Sequence, residues 1–251
     1  TAGILSVFSH PVARGLRNEK ETKTMHIEPG VVTGAKLVLS YATAAGAATY
    51  GVKLIAQTCK ENGIAAFLLR SLLATLAVFV FFEVLPKYPV GVSEVHFILG
   101  STIFLMFGAA PAAVGLMAGL AIQGLLFAPA DLPQYFMNVT TLQVPLFAIA
   151  ALAKRIIAPQ TAYVDLKYRQ ALALSTAYQG GVVAWVAFWA VYGQGFGAEN
   201  FAAIGAFGAS YMLVVIVEPI ADLAVLAAAK ALHRLEHTNL VAERVYKGSV
   251  S

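Results

Sequence analysis

Charged side chains are scarce in this chain. Asp, Glu, Lys and Arg together make up 12% of its 251 residues, about half the share of a typical soluble domain. Cysteine is nearly absent: the single Cys59 excludes an internal disulfide and a cysteine-based zinc site. No Walker motif, catalytic triad or dinucleotide fingerprint occurs, so any nucleotide hydrolysis coupled to this protein has to come from another chain. What fills the sequence instead is apolar, with 59% hydrophobic residues and a mean hydropathy of +0.74. Such a composition defines an all-α, polytopic membrane protein, bathed in membrane lipid. One span takes about 20 apolar residues, which allows roughly seven in this length with short loops. The net charge of +4 does not indicate a nucleic-acid partner, because the basic residues sit at the ends of apolar runs and in the tails.

The runs can be placed in order. The first covers about 35–57 and is rich in small residues, which lets helices approach closely in lipid. The second covers about 64–85, carries Arg70 inside it and ends at Pro86 and Pro89. A loop, 90–96, leads to a short third run over 97–110. A tight turn, Gly108 to Pro111, separates it from a fourth run over 112–128, where Gly115 and Gly119 form a small-residue packing face. A proline-rich polar stretch from Pro129 to Asn138 precedes a fifth run over 139–158, with Pro145 as a kink. The sixth covers 171–192. The seventh starts near Phe201 and ends around Glu218, Pro219 or Asp222, followed by an apolar segment, Leu223 to Leu232. An unpaired charge inside a span is costly, so Arg70 is expected to pair with Glu218 or Asp222.

Basic residues orient the spans. With the Met25 end outside, the inner segments hold Lys53, Lys60, Lys154, Arg155, Lys167, Arg169, Lys230, Arg234, Arg244 and Lys247, against Lys87 alone in the outer loops. The orientation predicted is Met25 end out and C-terminus cytoplasmic, in a bacterial inner membrane. Residues 1–24 run against this: Arg14, Arg17, Lys20 and Lys23 would lie outside. They lack the apolar region and cleavage site of a secretory signal and are read as a leader, disordered or non-native. Residues 25–235 form the single transmembrane domain, and 236–251 a polar cytoplasmic tail.

Only two of the five histidines lie outside the polar tails, His26 and His96, and the charge-derived topology puts both on the outer side. If Met25 were a chain terminus, its amine and the His26 amide nitrogen would close a five-membered ring on a metal ion. That amide and the His26 imidazole would close a six-membered ring. His96 would supply a fourth nitrogen and complete a square plane, a geometry suited to Ni(II), Cu(II) or low-spin Co(II) rather than to tetrahedral zinc. Glu28 and Glu94, each two residues from a histidine, could orient the imidazoles or be solvated loop acids. The plain alternative for His96 is a capping or interfacial histidine.

These residues resemble a known family. Met25-His26-Ile27-x-x-Gly30 is similar to the start of the cobalt/nickel substrate-binding membrane subunits, S-component-like, of energy-coupling factor ABC transporters. A second motif carries the resemblance further: Gly91-x-Ser93-x-Val95-His96, then Phe107-Gly108, Gly119-Leu120, Gln123, Leu125 to Phe127 and Asn138. The resemblance covers about Met25 to Ile149. It implies a seven-helix substrate-capture subunit with Met25, His26 and His96 as ligands and Ser93, Gln123 and Asn138 near the site. It further implies cobalt or nickel as the transported substrate, no organic cofactor and no enzymatic activity of its own. The partners implied are a transmembrane coupling subunit contacting the first span, separate ATPase subunits and a small accessory membrane subunit. The chain departs from the family at 128–134, where a His-Gly-Gly-rich loop is usual. Two other functions fit a polytopic chain: a non-transporting accessory or assembly subunit of a larger membrane complex, and capture of an organic vitamin.

Overall fold

The computed structural model describes Ile27 and residues 29–235. Met25, His26 and Glu28 lie outside the described residues, as do the leader and the polar tail. Among the described residues seven α-helices and one β-hairpin follow in the order α1 (Val38–Asn62), α2 (Ile64–Glu83), β1 (Lys87–Val90), β2 (Ser93–His96), α3 (Gly100–Phe107), α4 (Ala109–Leu126), α5 (Tyr135–Ile156), α6 (Tyr168–Gln194) and α7 (Ala198–Leu235). Five of them, α2, α4, α5, α6 and α7, are long and apolar enough to cross a membrane. In α1 the charges Lys53, Lys60 and Glu61 interrupt the apolar face, and α3 has only 8 residues.

The connections are short, so successive helices fold back on one another. Gly63 alone, at φ +83°, joins α1 to α2, and Gly108, at φ +92°, joins α3 to α4. The predicted turn at Gly108 to Pro111 is thus a single glycine. Pro111 falls in the first turn of α4, where its missing N–H leaves no helical bond unmade. α2 and α4 meet over the small-residue face. A methyl on Gly115 would lie 2.6 Å from Ala74 Cβ, and one on Gly119 would lie 2.5 Å from Val78 Cγ1. The opposite face of α2, including Leu68, Leu69, Leu72 and Leu76, is exposed, as a lipid-facing surface must be. The core is built from α2, α4, α5, α6 and α7, around Phe82, Leu116, Leu142, Tyr178, Trp189 and Tyr211.

Three expectations are corrected. The segment 90–96 is not a loop but part of a two-residue hairpin, with Val90 opposite Ser93 and Lys87 opposite His96. Gly91 supplies the positive φ the turn needs (+63°), and Tyr88, Val90 and Val95 favour strand. The seventh helix does not end near Pro219; α7 runs 38 residues through it. A proline forfeits one helical bond but does not end a helix whose flanks are apolar and held by neighbours. Arg70 makes no ion pair with Glu218 or Asp222. Both carboxylates instead serve α3, with Glu218 accepting the backbone N–H groups of Ile98 and Leu99 and Asp222 the hydroxyls of Ser101 and Thr102.

Candidate functional site

The hairpin lies along α7 at one end of the bundle. A methyl on Gly91 would overlap the carbonyl oxygen of Ala203, and the chain reaches the Glu218 carboxylate at Ile98. From the turn at Gly91 through β2 to Ile98, seven residues reach at most about 23 Å. Fifteen helical residues from Ala203 to Glu218 cover about 22 Å. β2 and the segment after it therefore run in step with α7, and this fixes where His96 falls.

His96 is 6% exposed. Its ring stands edge-on to Phe82, with centroids 5.0 Å apart and planes at 85°. Nδ1 lies 3.2 Å from the Phe97 carbonyl oxygen. A carbonyl can only accept, so Nδ1 carries the proton and the lone pair of the neutral ring is on Nε2. Burial, assisted by the nearby Lys87 cation and opposed by the Phe97 carbonyl, lowers the His96 pKa to about 4. The imidazole is neutral at physiological pH, the state a metal ion requires. A backbone acceptor on the second ring nitrogen is the usual support of a ligating histidine.

The other predicted residues divide into two groups. Glu94 and His96 are two apart on β2 and share a face, while Ser93 points to the other side with Val95. Glu94 is buried, so it is not a solvated loop acid. On the facing helices, Gln123 donates to the Phe82 carbonyl at 3.4 Å, linking it to the residue that packs on His96. Asn138 accepts the backbone N–H of Ile27 through Oδ1 at 3.2 Å. Ile27, 1% exposed, is the neighbour of His26. Gln123 and Asn138 line one small cavity with Asp131.

Asp131 was not singled out from the sequence. It is buried in a short 3-10 helix, Pro129–Gln134, where its backbone N–H bonds the Ala128 carbonyl. Its one sequence signal is that it is the only acid in the stretch where the chain departs from the usual loop. Glu83, at the end of α2, pairs with Lys87 at 3.4 Å. Among the described residues no three His, Cys, Asp or Glu side chains converge on a metal-sized site.

The N-terminal segment is seated in the bundle beyond Ile27. Val31 and Val32 are buried. A methyl on Gly193, near the end of α6, would overlap the Val31 carbonyl oxygen. Lys36 donates to the Gly193 carbonyl at 2.7 Å and lies over the Tyr192 ring. The stretch that follows His26 is therefore threaded between α5 and α6 toward the hairpin end.

A bundle with five helices long and apolar enough to cross a membrane and a buried histidine at one end defines a polytopic integral membrane protein. More particularly, the chain belongs to the CbiM family, the cobalt uptake substrate-specific transmembrane region, whose profile matches residues 26–235. Among solved structures, a transition metal transporter is similar in fold, with a TM-score of 0.63 and 17% identity over 88% of this chain and 98% of that one. A truncated transition metal transporter has a TM-score of 0.59 and 16% identity, over 85% and 99% of the two chains. No protein of curated function matches the chain.

Proposed function

We propose that this chain is the substrate-capture membrane subunit of a cobalt or nickel uptake transporter. It takes the divalent ion at the hairpin end of the bundle through nitrogen ligands. With residues 1–24 removed, these are the Met25 amine, the His26 amide and imidazole, and the His96 imidazole. Glu94, on the His96 face of β2, and Glu28 orient the imidazoles, with Gln123 and Asn138 fixing the walls. Ser93 faces away from His96 and acts only through the hairpin. The ion is substrate, no organic cofactor takes part, and separate ATPase subunits act through a transmembrane coupling subunit. A small accessory membrane subunit completes the assembly in the inner membrane. The excess of basic residues at the opposite end of the bundle supports an orientation with the hairpin end outside.

One observation carries this reading. The Ile27 to Asn138 hydrogen bond holds the residue after His26 inside the bundle. Asn138 shares a cavity with Gln123, and Gln123 bonds the residue that packs on His96. Asn138, Gln123 and His96 are far apart in sequence yet surround one end of the bundle.

The test is metal analysis of the membrane-extracted protein together with its intact mass and N-terminal sequence. The expected result is about one cobalt or nickel ion per chain with a Met25 terminus, and loss of the ion in His96→Ala. A chain that retains residues 1–24 and holds no metal would overturn the ligand set. Stable co-purification with a complex lacking ATPases would favour the accessory-subunit reading, and affinity for a small organic molecule the vitamin reading.

A further inference from the structure

α7 reaches the His96 segment through two carboxylates one helical turn apart. Glu218, 0% exposed, accepts the Ile98 N–H through Oε2 at 2.9 Å and the Leu99 N–H through Oε1 at 2.6 Å. Asp222 accepts the hydroxyls of Ser101 and Thr102. Ile98 and Leu99 lead into α3, where N–H groups have no partner within the helix. Leu99 itself has no side-chain acceptor and adopts φ +51°, a conformation leucine rarely takes. The following residue, Gly100, is pressed so closely on the Tyr178 ring that no side chain fits. The start of α3 is thus held from outside, by acceptors about 120 positions away in sequence.

The grip is built more firmly than an eight-residue helix requires. Gln179 donates to Glu218 Oε1, and Tyr211 donates to Gln179 Oε1 at 2.9 Å. Three helices, α3, α6 and α7, are tied to one buried carboxylate. Its nearer attachment, Ile98, is two residues beyond His96. Pro219 follows Glu218 directly and cannot donate to the Val215 carbonyl. The helical ladder of α7 is therefore interrupted beside the grip, and any bend of α7 there is delivered to the His96 segment.

We infer that Glu218 is a positioning residue for the ion site. Through the Ile98 and Leu99 amides it fixes the direction in which His96 presents Nε2, so affinity for the ion depends on an α7 side chain that does not touch it. This rests on His96 being a ligand.

Co(II) or Ni(II) titration of the full chain in detergent, read by the ligand-field absorption band and paired with metal-free melting, tests it. His96→Ala is the reference for the ligand set. Glu218→Gln turns one of two acceptor oxygens into a donor facing a backbone N–H. It is expected to weaken ion binding about tenfold or more, as lost supporting hydrogen bonds do at metal sites, and to shift the band. Asp222→Asn disturbs the same helix one turn farther from His96. It is expected to lower the melting temperature while leaving affinity and band unchanged. Wild-type affinity and band in Glu218→Gln, or equal weakening by both variants, would overturn the inference. If Glu218→Gln does not fold, Glu218→Asp and Gln179→Met are judged by the same criteria, and unchanged binding in them overturns it equally. Retained binding in His96→Ala would instead overturn the ligand set, a separate result.

Discussion

The backbone N–H of Ile27 donates to Asn138 Oδ1 across 3.2 Å, although the two residues are 111 positions apart. Both are buried, so nothing else solvates this N–H when the side chain is removed. Asn138→Ala is expected to cost about 1–3 kcal/mol at this contact, the range for stranding a buried donor. If the contact seats the segment after His26, the cost falls on ion binding, where each 1.4 kcal/mol is about tenfold. Calorimetric titration with Co(II) should show affinity reduced by tenfold or more, and Asn138→Asp, which keeps the acceptor, should be less impaired. Wild-type affinity in Asn138→Ala would detach Ile27 from the site.

Gly193 tests the same docking from α6. The Val31 carbonyl lies where a Cβ at residue 193 would be, and both partners are backbone, so neither can swing aside. Gly193→Ala is expected to displace 31–32 from the bundle and weaken ion binding, with a smaller effect on melting of the helices. Limited proteolysis should cut the variant after Lys36 or nearby faster than wild type. An unchanged cleavage pattern with full ion affinity would contradict the close approach.

The apolar runs were legible in the sequence because lipid makes the apolar residues of a span continuous, but only five of the seven expected spans are long and apolar enough to cross. Gly108 and Pro111 likewise marked the break between α3 and α4. The hairpin was not legible: each strand is only four residues long, and the buried one, β2, is covered by helices rather than by a sheet. Pro219 misled for a related reason. Local chemistry disfavours proline in a helix, but the apolar flanks and the packed bundle outweigh the loss of one hydrogen bond. Arg70 was expected to pair with Glu218 or Asp222 and does not, because charge alone gives no register. Glu218 and Asp222 are occupied by backbone and hydroxyl donors from α3, a pairing visible only once Ile98 to Thr102 are placed beside α7. At the candidate site, His96, Gln123 and Asn138 stood out by residue type and motif. Asp131, in a short turn without periodicity, did not.

Close packing of α2 on α4 yields a stability prediction. At Gly115 the nearest atoms to an added methyl are Ala74 Cβ at 2.6 Å and its backbone carbon at 2.8 Å. At Gly119 they are Val78 Cγ1 and Cβ, at 2.5 and 2.9 Å, which belong to a side chain. Gly115→Ala should therefore destabilise more than Gly119→Ala, by about 1–3 kcal/mol as for other overpacked sites. Thermal unfolding in detergent checks the order. Ala74→Gly should rescue Gly115→Ala only in part, because the backbone clash remains. Wild-type melting temperatures in both variants would contradict the close approach of α2 and α4.

Acid titration tests the state of His96 in the metal-free protein. Its folded pKa of about 4 lies below the ordinary 6.5 because burial disfavours the imidazolium. Between these values the unfolded chain takes up a proton that the native chain refuses. Stability contributed by the neutral ring is therefore complete above pH 6.5 and is lost as pH falls toward 4. The difference corresponds to about 3 to 4 kcal/mol at about 1.4 kcal/mol per pKa unit. Buried carboxylates add their own pH dependence, so the comparison is between wild type and His96→Gln with chelator present. Over pH 6.5 to 4 the wild type should lose more stability than the variant, with a slope steeper by close to one proton. Parallel curves would show that His96 is protonated as readily in the bundle as in water, and would remove the case for a neutral ligand poised at the hairpin end.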